Sequence, residues 1–285
     1  MTSVRKYFEF VRFSHTVFAL PFALAAMTIA ARGWPGWRTF LLILAAMVCA
    51  RTAAMGFNRI VDRQFDAKNP RTAKRHLPAG QITVIGAWWL VFGAATGLVV
   101  TSYFINRICF LLSPMALAIV FFYSLTKRFT DFTHFFLGLS LAVAPVGAWL
   151  AVTGCFAWPP VVLAVAVVLW LTGFDIIYAT QDYEFDKSAG LHSLPVRWGI
   201  ADSLRFARWA HAAMWVALTG FGLIAGLGWP YYAGLAVIAG CLVYEHRLAA
   251  KGDPVSVNVA SLRVNGVISV VFLVAVVTAV ATNEH

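Results

Sequence analysis

The sequence predicts an all-α polytopic membrane protein. Nine transmembrane helices are expected, eight of them in two parallel four-helix repeats around a central cavity, plus one helix. Three observations predict this. The chain has 285 residues, of which 61% are hydrophobic and only 12% charged, with a mean hydropathy of +0.77; a soluble domain carries about a quarter charged residues. Apolar runs close to the length of a spanning helix, about 20 residues, recur along the chain. Two acidic stretches recur at one spacing.

The expected spans are residues 16–31, 40–57, 84–104, 108–125, 135–152, 161–178, 209–226, 231–246 and 264–281. Pro35, Pro159 and Pro230 fall in short links between them, where a helix breaker belongs. The first run lacks a clear small-residue cleavage site and many spans follow it, so no cleavable signal peptide is expected. Lys and Arg fix the orientation. Eighteen of them fall on the side that holds the N-terminus, three (Arg32, Arg38, Arg107) on the other, and Arg51 lies within a span. Positive charge gathers in cytoplasmic loops. The N-terminus is therefore expected in the cytoplasm, and the same bias accounts for the net charge of +10 without nucleic acid. Cys49, Cys109, Cys155 and Cys241 lie far apart, lack Cys-x-x-Cys spacing and read as small core residues.

The first acidic stretch, Asn58 to Asp66, ends the second span, and a basic segment from Lys68 to Leu77-Pro78 follows it. Asn58, Asp62 and Asp66 recur one helical turn apart on one face. The second stretch, Asp175 to Asp186, ends the sixth span, with Leu194-Pro195 beyond it. Asp62 to Asp182 and Asp66 to Asp186 are both 120 residues. Four spans separate the two stretches, so both face the same side. The repeat is thus parallel, about residues 12–130 and 131–250, within one membrane domain covering residues 1–285. Meeting across the cavity, so many carboxylates require cations. Mg²⁺, which takes oxygen ligands and substrate phosphates, fits them. The bland alternative for either stretch alone is a solvated helix end. Two with the same spacing and side argue against it.

Other charges extend the pattern. Tyr123-Ser-Leu-Thr-Lys127-Arg128 ends the fourth span on the same side, as a diphosphate binder or a topology anchor. Arg71 to Arg75 reads as a lid over the diphosphate or as an ordinary positive loop. Arg51 and Asp175 lie within spans, where a charge costs about 2.5–3.5 kcal/mol on insertion scales. They read as a docking place for a polar acceptor, or as a structural ion pair. Arg12 precedes the first span and is expected to reach the same place. His15, His134 and His211 lack ligand spacing and read as interfacial or packed. The Trp and Phe residues read mostly as lipid-facing or belt residues.

These residues resemble the UbiA superfamily of intramembrane prenyltransferases over nearly the whole chain. The matching motifs are Asn58-x-x-x-Asp62-x-x-x-Asp66, Asp182-x-x-x-Asp186, Tyr123-x-x-x-Lys127-Arg128 and Arg71-Thr-Ala-Lys-Arg75-x-Leu-Pro-x-Gly80. The resemblance implies Mg²⁺ and diphosphate held by Asn58, Asp62, Asp66, Asp182 and Asp186. It implies diphosphate binding by Lys127 and Arg128, joined by Arg63, Arg71 and Tyr123. It places Arg51 and Asp175 near an aromatic acceptor, with Arg12 and Tyr178 beside them. Asn69-Pro70-Arg71-Thr72 and Gln181-Asp182-Tyr-Glu-Phe-Asp186 look most like the 4-hydroxybenzoate polyprenyltransferase branch, some of whose members serve a futalosine menaquinone route. Classical members often have Asn-Asp where this chain has Asn58-Arg59, which bears on the acceptor and not on the reaction.

The expected activity is Mg²⁺-dependent transfer of a polyprenyl group from polyprenyl diphosphate to an aromatic acid, within respiratory quinone biosynthesis. Metal and basic residues stabilise the departing diphosphate, and Asp175 and Arg51 are the expected catalytic residues. The expected location is the bacterial plasma (inner) membrane, with the active site near the cytoplasmic face and lipid as the surrounding partner. A naphthoate or haem acceptor would keep the chemistry. A secondary transporter is the alternative from another class.

Overall fold

A computed structural model describes residues 9–11 and 18–283 of the chain. Arg12, His15 and the start of the first expected span lie outside the described residues. In chain order the helices are α1 (Leu20–Ala31), α2 (Trp37–Val61), the short α3 (Arg63–Lys68), α4 (Val84–Ile105), α5 (Arg107–Tyr123), α6 (Thr133–Thr153), α7 (Trp158–Ala179), the short α8 (Tyr183–Ser188) and α9 (Leu194–Trp198), α10 (Ile200–Ile224), α11 (Trp229–Ala249), the short α12 (Pro254–Asn258) and α13 (Asn265–Asn283).

Each expected span overlaps one of the longer helices. Among the described residues, six segments are long and apolar enough to cross a membrane: Trp37–Val61, Val84–Ile105, Arg107–Arg128, Thr133–Thr153, Trp158–Ser188 and Pro254–Thr282. The α1 helix is apolar but has 12 described residues. The α10 and α11 helices have the length but carry charges, Asp202, Arg205 and Arg208 in one and Glu245, His246 and Arg247 in the other.

Local sequence sets the helix ends. Arg32, in the left-handed region at φ 51°, closes α1. Asn106 alone links α4 to α5: its backbone is extended, and its side chain caps α5 by accepting from the Cys109 amide at 2.9 Å. Pro159 and Pro230 sit in the first turns of α7 and α11, where a missing amide hydrogen costs nothing. Asp253 caps α12 through the Ser256 amide.

The chain divides into two compact units. The first holds α2 to α5 with residues 9–11. Its core joins Phe10, Val11, Ile60, Ile82, Ala87 and Val91. The α2 and α4 helices approach through small residues, since a Cβ on Gly56 or Gly97 would press on Val91 or Cys49.

The second unit holds α1 and α6 to α13. Its most buried helix is α7, which packs against α6 and α10. At Gly138 the α6 helix lies so close to the Val168 backbone that no Cβ fits. Phe22, Trp170 and Phe272 form an aromatic centre, with Phe22 and Phe272 stacked at 4.6 Å.

A buried polar chain crosses this unit. The Trp170 indole donates to Asn265 Oδ1 at 2.5 Å, and Asn265 Nδ2 donates to Glu245 Oε1 at 2.7 Å and to the Ala260 carbonyl at 3.1 Å. The Ala260 carbonyl belongs to a π-helical turn, Val259–Val264, that leads into α13. His211 donates from Nε2 to the Trp170 carbonyl at 3.0 Å, so its Nδ1 accepts from His246 Nε2 at 3.0 Å.

The cysteines correct an expectation. Cys49, Cys109 and Cys241 are half-buried and Cys155 is exposed, so none is a core residue. In lipid the outer face of a helix is as apolar as its inner face, and a thiol is equally at home there. Cys155 lies in the turn between α6 and α7, at the end of α6 away from Lys127 and Arg128. A membrane-impermeant maleimide is expected to label it in intact cells; labelling only after permeabilisation would reverse the orientation.

Candidate active site

The two acidic segments share a backbone device. The α2 helix stops at Val61, Asp62 adopts φ −88°, ψ 0°, and α3 starts at Arg63. In the second segment a 3₁₀ turn, Thr180–Asp182, follows α7; Asp182 adopts φ −101°, ψ 5°, and α8 starts at Tyr183. In each segment the short helix thus begins just after the first aspartate of the motif, directly after the long helix in the first and after a 3₁₀ turn in the second. In the first segment the one-turn rise survives the break, because the Asp62 amide bonds the Asn58 carbonyl at 3.0 Å and the Asp66 amide the Asp62 carbonyl at 2.8 Å.

The second aspartate of each motif is buried against a cation of its own unit. Arg75 Nη1 donates to Asp66 Oδ1 at 2.6 Å, with Arg59 4.0 Å from Oδ2. Lys127 Nζ donates to Asp186 Oδ2 at 3.0 Å. Burying a carboxylate this deeply is costly without a paired charge, and here each has one. Asp66 Oδ2 itself is buried without a hydrogen bond among the described residues. Asn58 Nδ2 donates to Asp62 Oδ2 at 2.9 Å, which leaves Asn58 Oδ1 as a further oxygen ligand atom.

The segment after the first motif is folded onto it. Thr72 Oγ1 donates to the Asp66 carbonyl at 3.0 Å, and the Arg71 amide to Asn69 Oδ1 at 2.9 Å. Of the expected diphosphate ligands, Arg63, Arg71 and Arg128 are exposed, and Lys127 is half-buried on Asp186. Tyr123 ends α5, and its carbonyl accepts from Thr126 Oγ1 at 2.7 Å. Arg51 is half-buried in α2.

Asp175 accepts from His134 Nδ1 at 2.7 Å, and His134 Nε2 lies 3.4 Å from the Leu194 amide. Tyr178, one turn on from Phe174, lies nearly parallel to its ring at 6.4 Å. The loop carrying Leu194 is bound to the start of α6 by further bonds. The His192 amide donates to the Lys127 carbonyl at 2.9 Å. Asp131 accepts from His192 Nδ1 at 2.9 Å and from Arg197 Nη1 at 2.7 Å. Burial pushes the Asp131 carboxyl up, but hydrogen bonds and charge from Arg197 and His192 outweigh it and hold the carboxyl below the ordinary range. Its tie to the loop therefore persists above that range and weakens only as pH falls through the lowered value.

Sequence reasoning missed His134 as a partner of Asp175, and Arg75 as the partner of Asp66. A lone histidine in an apolar run carries no spacing signal; only Asp175, a charge within a span, hinted that a partner existed. Arg75 was legible only as part of a basic loop. Glu184, a further carboxylate of the second stretch, is exposed. Among the described residues no group of three or more His, Cys, Asp or Glu side chains converges as a ready metal centre. Mg²⁺ requires fewer, typically one or two carboxylates with substrate phosphates.

The profile of the UbiA prenyltransferase family matches residues 19–280. The 4-hydroxybenzoate octaprenyltransferase of Alcanivorax borkumensis is 35% identical over 231 residues, 79% of this chain and 77% of that one. The enzyme of the same name from Vibrio campbellii is 32% identical over 228 residues, 78% of each. Among solved structures, a UbiA homolog from Aeropyrum pernix superposes with a TM-score of 0.85 at 29% identity, covering 93% of this chain and 98% of that one. A UbiA homolog from Archaeoglobus fulgidus, solved with GPP and Mg²⁺, shares the fold at a TM-score of 0.69 and 21% identity, covering 97% and 99%.

Proposed function

The chain belongs to the UbiA prenyltransferase family and is an enzyme of the 4-hydroxybenzoate polyprenyltransferase-like kind; from that premise we propose that it transfers a polyprenyl group from polyprenyl diphosphate to an aromatic acid of the 4-hydroxybenzoate type, with Mg²⁺, in respiratory quinone biosynthesis. The observation that carries this reading is the repeated acidic motif, broken at its first aspartate and paired to a cation at its second in both segments. A solvated helix end would not need the second aspartate buried.

Asn58, Asp62, Asp66, Asp182 and Asp186 are the proposed metal ligands. All offer oxygen, and Asp66 Oδ2, buried without a hydrogen bond among the described residues, supports the fit. Bound there, the metal would lend positive charge to the diphosphate leaving group. Lys127, Arg128, Arg63, Arg71 and Tyr123 are the proposed diphosphate ligands, which neutralise the departing oxygens. The allylic carbon then meets the acceptor ring away from water. Arg51, with Arg12 and Tyr178, is proposed to bind the acceptor, Arg51 through the acid's carboxylate. Asp175 orients the ring or takes its proton. Nine spans, eight of them in two parallel four-helix repeats and one beyond them, in the bacterial plasma membrane with the N-terminus and the site toward the cytoplasm, complete the proposal.

One assay tests it. Purified protein receives one labelled prenyl diphosphate and, separately, 4-hydroxybenzoate, a naphthoate and haem, each with Mg²⁺ or with EDTA. Prenylated 4-hydroxybenzoate is expected only with Mg²⁺, falling to background in EDTA and returning when Mg²⁺ is restored. Product on the naphthoate alone would keep the transfer and change the acceptor. Uptake across vesicles without any product would make the protein a transporter.

A further inference from the structure

The Leu194 amide can only donate, so His134 Nε2 must present its lone pair to it. The ring's hydrogen then sits on Nδ1, pointing into Asp175 Oδ2 at 2.7 Å. His134 is fully buried, so no water competes for either nitrogen. A proton added at Nε2 would meet the amide hydrogen head-on. His134 is thereby held as one tautomer, a fixed donor to Asp175. Asp175 Oδ1, in contrast, takes no hydrogen bond among the described residues, and the side chain is 17% exposed.

We propose that His134 is the positioning residue that fixes Asp175 for the acceptor step, leaving Asp175 Oδ1 as the oxygen that receives the acceptor's proton. This rests on the acceptor role of Asp175 proposed above. The electron balance is simple. The ring's π electrons form the new carbon–carbon bond as the allylic carbon–oxygen bond breaks and diphosphate leaves with its electron pair. The ring C–H proton passes to Asp175 Oδ1, and that bond's electrons restore the aromatic ring. A carboxylate free to rotate would present Oδ1 only part of the time, and the His134 bond removes that freedom. The Leu194 amide that sets the tautomer belongs to the loop pinned to Lys127 and Asp131, so the orientation of Asp175 is anchored in the stretch that follows the second acidic motif.

Two amides of different reach separate the roles of the two ring nitrogens. In His134→Asn the side-chain NH₂ falls near Nδ1 and keeps the donor to Asp175. In His134→Gln the side-chain oxygen falls near Nε2 and keeps the partner of the Leu194 amide, losing the donor. Steady-state kinetics on the purified protein, with 4-hydroxybenzoate and a labelled prenyl diphosphate, are the readout. A loss of about 10–100-fold in kcat is expected for His134→Gln and His134→Ala, the range seen when a supporting hydrogen bond is removed. The prenyl diphosphate KM should stay within about threefold, and His134→Asn should recover most of the kcat. Rescue by Gln in place of Asn, or equal loss for all three variants, overturns the positioning role and leaves His134 a packing residue. Asp175→Asn run alongside separates this from the reading it rests on: full turnover in that variant removes the acceptor role of Asp175, whereas a large loss there with wild-type kinetics at His134→Gln removes only the inference.

Discussion

Replacing Asp62 with Asn is expected to lower turnover by about 10²–10³-fold while leaving the fold intact. The magnitude is that of removing one electrostatic contact to charge that develops in the transition state. The substitution is chosen for what it spares. Asn58 donates to Asp62 Oδ2, and the amide oxygen of an introduced Asn still accepts that bond. The backbone bonds on either side of residue 62 do not involve the side chain. Thermal midpoint in detergent should therefore move by no more than about 2 °C, the shift produced by a few tenths of a kcal/mol in a protein of this size. Asp66 offers no such clean test, since Asp66→Asn also releases Arg75 from its 2.6 Å partner. Turnover at Asp62→Asn equal to that of the parent protein would leave the acidic segment as a charged helix end and sink the metal reading.

The largest expected effect on stability is at Asn265. Its side chain satisfies the Trp170 indole, Glu245 and the Ala260 carbonyl at once. Asn265→Leu keeps the branched heavy-atom outline and orphans all three. Interhelical hydrogen bonds in membranes are worth only about 0.6 kcal/mol on average, because the unfolded chain finds other partners. Here the penalty is not a lost bond but buried groups left unpaired, which costs about 1–3 kcal/mol each. The second effect dominates. A loss of about 3 kcal/mol is expected, seen as a drop of roughly 6–12 °C in apparent midpoint. Val270→Leu, on an exposed position of the same helix, should leave the midpoint unchanged. Unfolding of such a protein is commonly irreversible, so the comparison is made at one scan rate. A drop under about 2 °C would show that the polar chain is not a structural tie.

The helices were legible because lipid imposes a strong rule: a run of apolar residues with all backbone groups bonded internally. The residues on which that rule is weakest are the ones for which length and composition do not certify a span. In α10, Asp202, Arg205 and Arg208 dilute the apolar signal in the first turns, and in α11 Glu245, His246 and Arg247 do so near the end. The acidic motifs were legible because carboxylates are expensive in such a chain. What the spacing hid was the break at Asp62 and Asp182, which depends on ψ values near zero that no residue type announces. The π-helical turn at Val259–Val264 was invisible for a related reason. Its Ala260 carbonyl accepts from Asn265, five residues on, whose side chain is also bonded to Trp170 and Glu245 far away in sequence.

The shared break also sets what the two segments have in common apart from what they do not. Setting the two segments in register by their aspartates pairs Asn58 with Tyr178, Met55 with Asp175 and Arg51 with Leu171. The two charges that lie within spans thus have no counterpart, whereas the kink and the aspartates do. If the two segments descend from one duplicated unit, the bend is their common inheritance, whereas Arg51 and Asp175 belong to one segment each.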